Sequence, residues 1–344
     1  MDPTIAQVTP GHQGGLLEGF RTPLLAAFIA LTVSWMLTPW VRKLAIQRGA
    51  VDDPTADDRR VHREPTPRWG GLAIYAGVFV ALAIVLPFAF PRPFPPYVIG
   101  MTVIGAAIVV MGALDDVYQF RAAIQAGFLL VCGLAIQAFT DGASRQVQIP
   151  GIGMSPLGRE WFDFGIAAVP ITAIYIFVVT KTMDTIDGID GLASGIAAIA
   201  ACTLSVIGTY EGQPRVAIIA AAVGGAALGF LRHNYNPARI FLGTGGAQLL
   251  GFLLACLSIV GAMKTAAAVA ILVPLLAFGV PIVDAVQVVL RRIRGRRPIS
   301  QADTQHLHHQ LLRRGLSQRQ AVWILYVVAA VLCGMLFVVV RLYG

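Results

Sequence analysis

The chain has 344 residues, 56% of them hydrophobic and only 13% charged, with a formal net charge of +8. Its mean hydropathy is +0.72. This composition excludes an ordinary soluble domain, and long apolar runs with few charges point instead to transmembrane helices.

Ten spans are expected in chain order: 22–41, 70–90, 97–114, 122–140, 164–181, 190–210, 214–231, 246–263, 265–289 and 320–341. The fold class is therefore all-α, a polytopic integral membrane protein of about ten helices, with residues 1–344 forming one membrane domain. Residues 1–21 are polar and Gly-rich and lack a basic n-region, so a cleavable signal peptide is not expected there. The loops after every odd-numbered span hold most of the 26 Lys and Arg, chiefly in 42–68 and 291–319. By the positive-inside rule that side is cytoplasmic, and the segment 1–21 is extracytoplasmic. Topology and attraction to anionic membrane lipids account for the net charge, so no nucleic-acid partner is needed. The four cysteines, Cys132, Cys202, Cys256 and Cys333, fall inside spans and read as small buried residues rather than metal ligands.

Chemistry-capable residues collect in the inner loops. The first is "DDPTADDRRVHREPTPRWGG", residues 52–71, in which Pro65 and Pro67 stiffen the approach to Arg68 and Gly70–Gly71 permit close packing. His62 is a lone loop histidine that could donate a proton. "LDDVYQFR", residues 114–121, sets Asp115 and Asp116 directly after an apolar span. A carboxylate pair there resists full ionisation without a cation or donor. An uncompensated charge at the bilayer centre costs about 2.5–3.5 kcal/mol on insertion scales. The pair reads as a Mg²⁺ site or an acid–base pair, or as a solvated helix end.

"KTMDTIDGIDGLASG", residues 181–195, brings Asp184, Asp187 and Asp190 three residues apart between two apolar runs. On a helix each would step about 60° backwards, and Gly188 and Gly191 could instead break the helix. Three acids within about two turns need a cation, and an oxygen-rich cluster suits Mg²⁺ bridging carboxylates and phosphates. A span starting at Asp190 would also offer free N–H groups to an anion. The bland alternative, Asp187 or Asp190 as a helix N-cap, explains one acid only. "NPARIFLGTGGAQLLG", residues 236–251, precedes the eighth span.

The last inner loop, "RRIRGRRPISQADTQHLHHQLLRRG", residues 291–315, is a cytoplasmic basic and histidine segment within 291–319. Ser300 and Asp303 have capping-box spacing, so a short helix is expected to start there. His306 and His309 share one face, suited to diphosphate binding or proton transfer more than to zinc. Arg291–Arg297 and Arg313–Arg314 are anchors of the basic side. Asp284, inside the ninth span, is an intramembrane acid. Polar clusters on one side and almost none on the other imply one active face.

Together, "PTPRWGG", "LDD", "IDGIDGLASG", "NPARIFLG" and "DTQHLHHQLLRRG", in that order over residues 60–316, resemble the polyprenyl-phosphate N-acetylhexosamine-1-phosphate transferases. "HLHH" is more similar to the branch that uses UDP-N-acetylglucosamine. The resemblance implies transfer of N-acetylglucosamine 1-phosphate, or a related N-acetylhexosamine 1-phosphate, from a UDP-sugar to undecaprenyl phosphate, with release of UMP. That would be the first lipid-linked step of cell-envelope polysaccharide synthesis, such as lipopolysaccharide or teichoic acid, on the cytoplasmic face of the plasma (inner) membrane. It implies Asp115 and Asp116 as catalytic residues. Arg68, Asp187, Asp190, Asn236, His306, His308 and His309 are implied to bind substrate or nucleotide. Asp115, Asp116, Asp184 and Asp187 are implied to hold Mg²⁺, with Mn²⁺ as a substitute. A homodimer is a further partner to test. Direct attack and a two-step route through an aspartyl-phosphate both fit.

This chain departs from the family pattern. Thr244 stands where the family has a metal-binding Asp, and Ala247 where Ser is usual. Gln125 replaces a common Lys, and Lys181 and Asp184 replace two asparagines. The matching of lost and gained charges suggests an exchange, with Asp184 standing in for the carboxylate at 244 and Lys181 for the cation at 125. A catalytically impaired relative that binds lipid phosphate or nucleotide is the first alternative. An ion-coupled transporter is the second, disfavoured because its acids should lie near the midplane.

Overall fold

The structure is a computed structural model, and it describes residues 18–52, 65–140, 147–153, 161–262, 279 and 307–343. In lipid the backbone's polar groups can be satisfied only within helices or closed barrels, and these apolar runs are helical. In chain order α1 is Glu18–Gln47, α2 Gly70–Ala89, α3 Pro96–Tyr118, α4 Ala122–Ala135 and α5 Ala168–Ile186. Then come α6 Leu192–Tyr210, α7 Pro214–Asn234, α8 Gly243–Ala262, α9 Leu307–Arg313 and α10 Gln318–Tyr343.

Among the described residues, eight helices are long and apolar enough to cross a membrane. They correspond to eight of the expected spans. The run expected at 122–140 is a shorter apolar helix, Ala122–Ala138, whose last turn is 3₁₀. The expected span 265–289, with Asp284, lies outside the described residues apart from Gly279, as do His62 and the Ser300–Asp303 cap.

Two small hairpins were not anticipated. β1 (Val51–Asp52) pairs antiparallel with β2 (Thr66–Pro67), with Asp52 opposite Thr66. β3 (Gly151–Gly153) pairs with β4 (Trp161–Asp163) in the connection between α4 and α5.

The core runs along α8. Its apolar window is 94% buried, against 22% for α1 and 28% for α10, so among the described helices α8 is the axis and α1 and α10 lie at the periphery. Neighbours reach this axis through glycine. A Cβ at Gly112 of α3 would overlap the Gly245 backbone, and one at Gly71 of α2 would overlap Gly246. Both helices thus pass in backbone contact with the first turn of α8. The cysteines follow the expectation except Cys202, which is exposed on α6, while Cys132, Cys256 and Cys333 are buried.

Candidate active site

Alternating helix direction puts the C-terminal ends of α1, α3, α5 and α7 at one end of the bundle. The N-terminal ends of α2, α4, α6, α8 and α10 lie there too. The β1–β2 hairpin leads Arg68 to that end. Its backbone N–H donates to Ala50 O at 2.9 Å, and Trp69, in the left-handed region at φ 88°, turns the chain into α2. The Trp69 indole donates to Ala113 O at 2.9 Å, tying this corner to α3.

Asp115 and Asp116 both end up buried in the last turns of α3, not at a solvated helix end. They separate because successive helical residues point about 100° apart. Asp116 faces Arg68 and α8. Arg68 Nη1 lies 3.7 Å from Asp116 Oδ1, while Nη2 donates to Asp52 Oδ1. The Thr244 N–H, in the first turn of α8, donates to the same Asp116 oxygen at 3.2 Å. A carboxylate at a helix N-terminus is electrostatically favoured. Asp116 Oδ2 is buried beside Gly243 with no hydrogen-bond partner.

Asp115 faces the other way. Its Oδ1 accepts from the Phe120 N–H at 2.9 Å and from Gln125 Nε2 at 2.8 Å. Gln125 Oε1 accepts from Lys181 Nζ at 3.1 Å, and Lys181 also pairs with Asp184. The ammonium at 181 therefore does stand at the Gln125 side chain. Asp184 is paired with Lys181, and it is Asp116 that Thr244 contacts.

The three acids of the 181–195 stretch take three different positions. Asp184 is on the last turns of α5, and Asp187 is its C-cap, at φ −74° and ψ 46°. Asp190 is buried in the turn that follows. The N-cap of α6 is Gly191, at φ 79°, so neither Asp187 nor Asp190 caps that helix and the span does not begin at Asp190. Asp187 is part-buried in the cleft. Burial, and then the charges of Asp184, Asp116 and Asp190, push its carboxyl up to about 8, with Arg68 opposing. Asp190 Oδ2 accepts from Asn236 Nδ2 at 2.9 Å and from the Ala238 N–H at 3.0 Å, fastening the α7–α8 connection. Asn236 also donates to Gln318 at the start of α10.

The cleft thus collects Arg68, Asp116, Asp184, Asp187 and Asp190. Asp115 lies behind it through Gln125, and Asn236 joins it through Asp190. His308 and His309 lie on α9. His306 lies outside the described residues. The reading of the sequence missed Asp52, Asn234 and Gln318. Asp52 stood among several acids of one loop, and nothing local marked it. Asn234 Oδ1 accepts from the Gly191 N–H at 3.1 Å and Ser194 Oγ at 2.8 Å, a contact between distant segments with no periodic trace.

Among the described residues, no three His, Cys, Asp or Glu side chains converge to hold a metal ion by themselves. The unpartnered Asp116 oxygen and the acid excess at Asp187 still fit a hard cation. Mg²⁺ commonly takes one or two carboxylates and completes its shell with substrate phosphates and water.

The fold and this cleft define a polytopic all-α membrane protein with acidic and basic side chains gathered at one end of the bundle. Residues 98–262 match the family model described as Glycosyl transferase family 4. A Bacillus subtilis protein named "Probable undecaprenyl-phosphate N-acetylglucosaminyl 1-phosphate transferase" is 34% identical over 305 residues, covering 89% of this chain and 81% of its own. A "Decaprenyl-phosphate N-acetylglucosaminephosphotransferase" of Mycolicibacterium smegmatis is 34% identical, covering 89% of this chain and 79% of its own. An Escherichia coli "Undecaprenyl-phosphate alpha-N-acetylglucosaminyl 1-phosphate transferase" is 25% identical, covering 90% and 81%. The chain belongs to the polyprenyl-phosphate N-acetylglucosamine-1-phosphate transferase family.

Proposed function

We propose that this protein transfers N-acetylglucosamine 1-phosphate, or a related N-acetylhexosamine 1-phosphate, from a UDP-sugar to undecaprenyl phosphate. An oxygen of the lipid phosphate attacks the sugar-bearing phosphorus. The bond from that phosphorus to UMP breaks, and a polyprenyl diphosphate sugar forms. The reaction takes place at the cytoplasmic face of the plasma membrane. The names carried by the relatives support this chemistry.

The observation that carries the reading is the Arg68–Asp116–Thr244 arrangement beside Asp187. Phosphoryl transfer asks mainly for neutralised charge and aligned reactants. Arg68 is held by Asp52 and Asp116 with its side chain 28% exposed, so the guanidinium is preset for a phosphate rather than floppy. Lys181, 37% exposed and held by Gln125 and Asp184, offers a second cation. Asp116 and Asp187 would hold Mg²⁺, which supplies charge neutralisation on the diphosphate. Asp116 is the member of the acidic pair placed to take a proton from the lipid phosphate, because Asp115 is engaged by Gln125 and Phe120. Asp184, Asp190 and Asn236 complete the substrate side of the cleft, Asp190 and Asn236 by setting its wall, and the family resemblance adds His308 and His309 to the substrate-binding residues.

The test is turnover of purified protein with labelled UDP-N-acetylglucosamine, undecaprenyl phosphate and Mg²⁺. Equal yields of lipid-soluble label and UMP are expected. Retained UDP-sugar binding without any lipid-soluble label would identify a nucleotide binder instead.

A further inference from the structure

A groove of about 690 Å³ opens between α6, α7 and α10, away from the acidic cleft. Ala198, Cys202, Leu228, Tyr326, Ala330 and Phe337 are among its lining, which is almost wholly apolar. Leu332, which meets Gly279, lies on the opposite side of α10 from the groove.

The end of the groove nearest the active site is basic and closed. Exposed Arg319 stands one turn above Trp323 on α10, and exposed Arg232 one turn above Leu228 on α7. Asn236 ties Asp190 to Gln318, and the Arg319 guanidinium donates to Asn236 O at 3.0 and 3.2 Å. The Tyr326 hydroxyl donates to Gly191 O, and its ring covers Gly195 where a Cβ would collide. These bonds stand between the groove and Asp187.

We propose that this groove is a binding site for one anionic phospholipid of the surrounding bilayer. Its phosphate rests on Arg232 and Arg319, and its acyl chains lie along α6 and α10. Two arginines at the membrane edge over an apolar trough complement an anionic amphiphile. The chains pack against Tyr326, whose hydroxyl holds the Gly191 end of the acidic loop. Occupancy therefore steadies that loop and raises turnover. The turnover effect rests on the transferase reading; the binding does not.

Cys202 lines the groove and is the exposed cysteine, while the other three are buried, so it reports occupancy directly. The full chain is placed in nanodiscs of phosphatidylcholine with or without phosphatidylglycerol. A bilayer-soluble maleimide then labels Cys202. Phosphatidylglycerol is expected to slow labelling about fivefold, the protection reached when lipid stands at about four times its Kd. Arg232→Gln/Arg319→Gln should abolish that protection. Ala198→Phe, which fills the groove and keeps both arginines, should abolish retention of one phosphatidylglycerol in native mass spectrometry. Equal labelling in both bilayers overturns the proposal. So does protection by polyprenyl phosphate where phosphatidylglycerol gives none, or Cys202-to-Cys202 crosslinking between chains. Lipid protection in a protein that shows no transferase turnover would leave the site standing and sink the catalytic reading.

Discussion

The backbone N–H of Thr244 donates to Asp116 Oδ1 at 3.2 Å, joining residues 128 positions apart in the chain. That bond aims the first turn of α8, the most buried of the described spans, at the carboxylate that also meets Arg68. Asp115, its neighbour in sequence, is turned to Gln125. The two acids should therefore respond differently to substitution.

Asp116→Asn should cut turnover at least ~100-fold, the low end for a positioned acid or base. Asp115→Asn should act first on stability, by roughly 1–3 kcal/mol, because it weakens two bonds to a charged acceptor. Thermal unfolding in detergent and steady-state rates, measured on both variants, separate the roles. Equal losses of rate at unchanged stability would contradict the division.

Asp187 gives a pH signature. Its carboxyl titrates near 3.8 in an unfolded chain and is pushed up to about 8 in the cleft. Between those values the folded protein keeps a proton that the unfolded chain has released. Its contribution to stability therefore falls as pH rises from about 4 to about 8. With chelator present, the unfolding temperature of the wild type should drop between pH 6 and 8 more than that of Asp187→Asn. Identical pH profiles would show that Asp187 is not the group responsible. A divalent cation needs the deprotonated carboxylate, so Mg²⁺ should bind more tightly as pH rises toward 8.

Thr244→Asp places a second carboxylate beside Asp116. We expect the Mg²⁺ concentration for half-maximal activity to fall about tenfold, equal to ~1.4 kcal/mol. Asp184→Asn should not be rescued by it, since Asp184 is paired with Lys181. Mg²⁺ titrations of the wild type, both single variants and the double variant give the answer. Rescue would mean that Asp184 serves the role of the missing carboxylate after all.

Gly112→Ala should damage both fold and site. The added methyl meets the Gly245 backbone, which has no rotamer to yield. Overpacking of this kind costs about 1–3 kcal/mol. Because Gly112 lies one turn before Asp116, the α3–α8 register should shift, and turnover should fall further than stability alone explains. A variant with wild-type unfolding temperature and rate would show that the two helices have room to part.

The sequence by itself determined the membrane class, most span positions, the order of the polar clusters and their gathering on one side. Those properties are local: a run of apolar residues is long enough or it is not, and alternation of direction follows from counting. Only the tertiary structure decided which partners each acid meets. Asp115 and Asp116 are indistinguishable as a pair of letters, and a turn of about 100° on α3 sends one to Gln125 and the other to Arg68. Asp52 became part of the site through a two-residue hairpin, too short to leave a pattern. Asp190 took up the 236–238 loop instead of a helix cap, because Gly191 alone adopts the left-handed turn into α6 at no steric cost. Contacts between distant segments carry no periodicity, so packing against α8, not spacing along the chain, assembled the cleft.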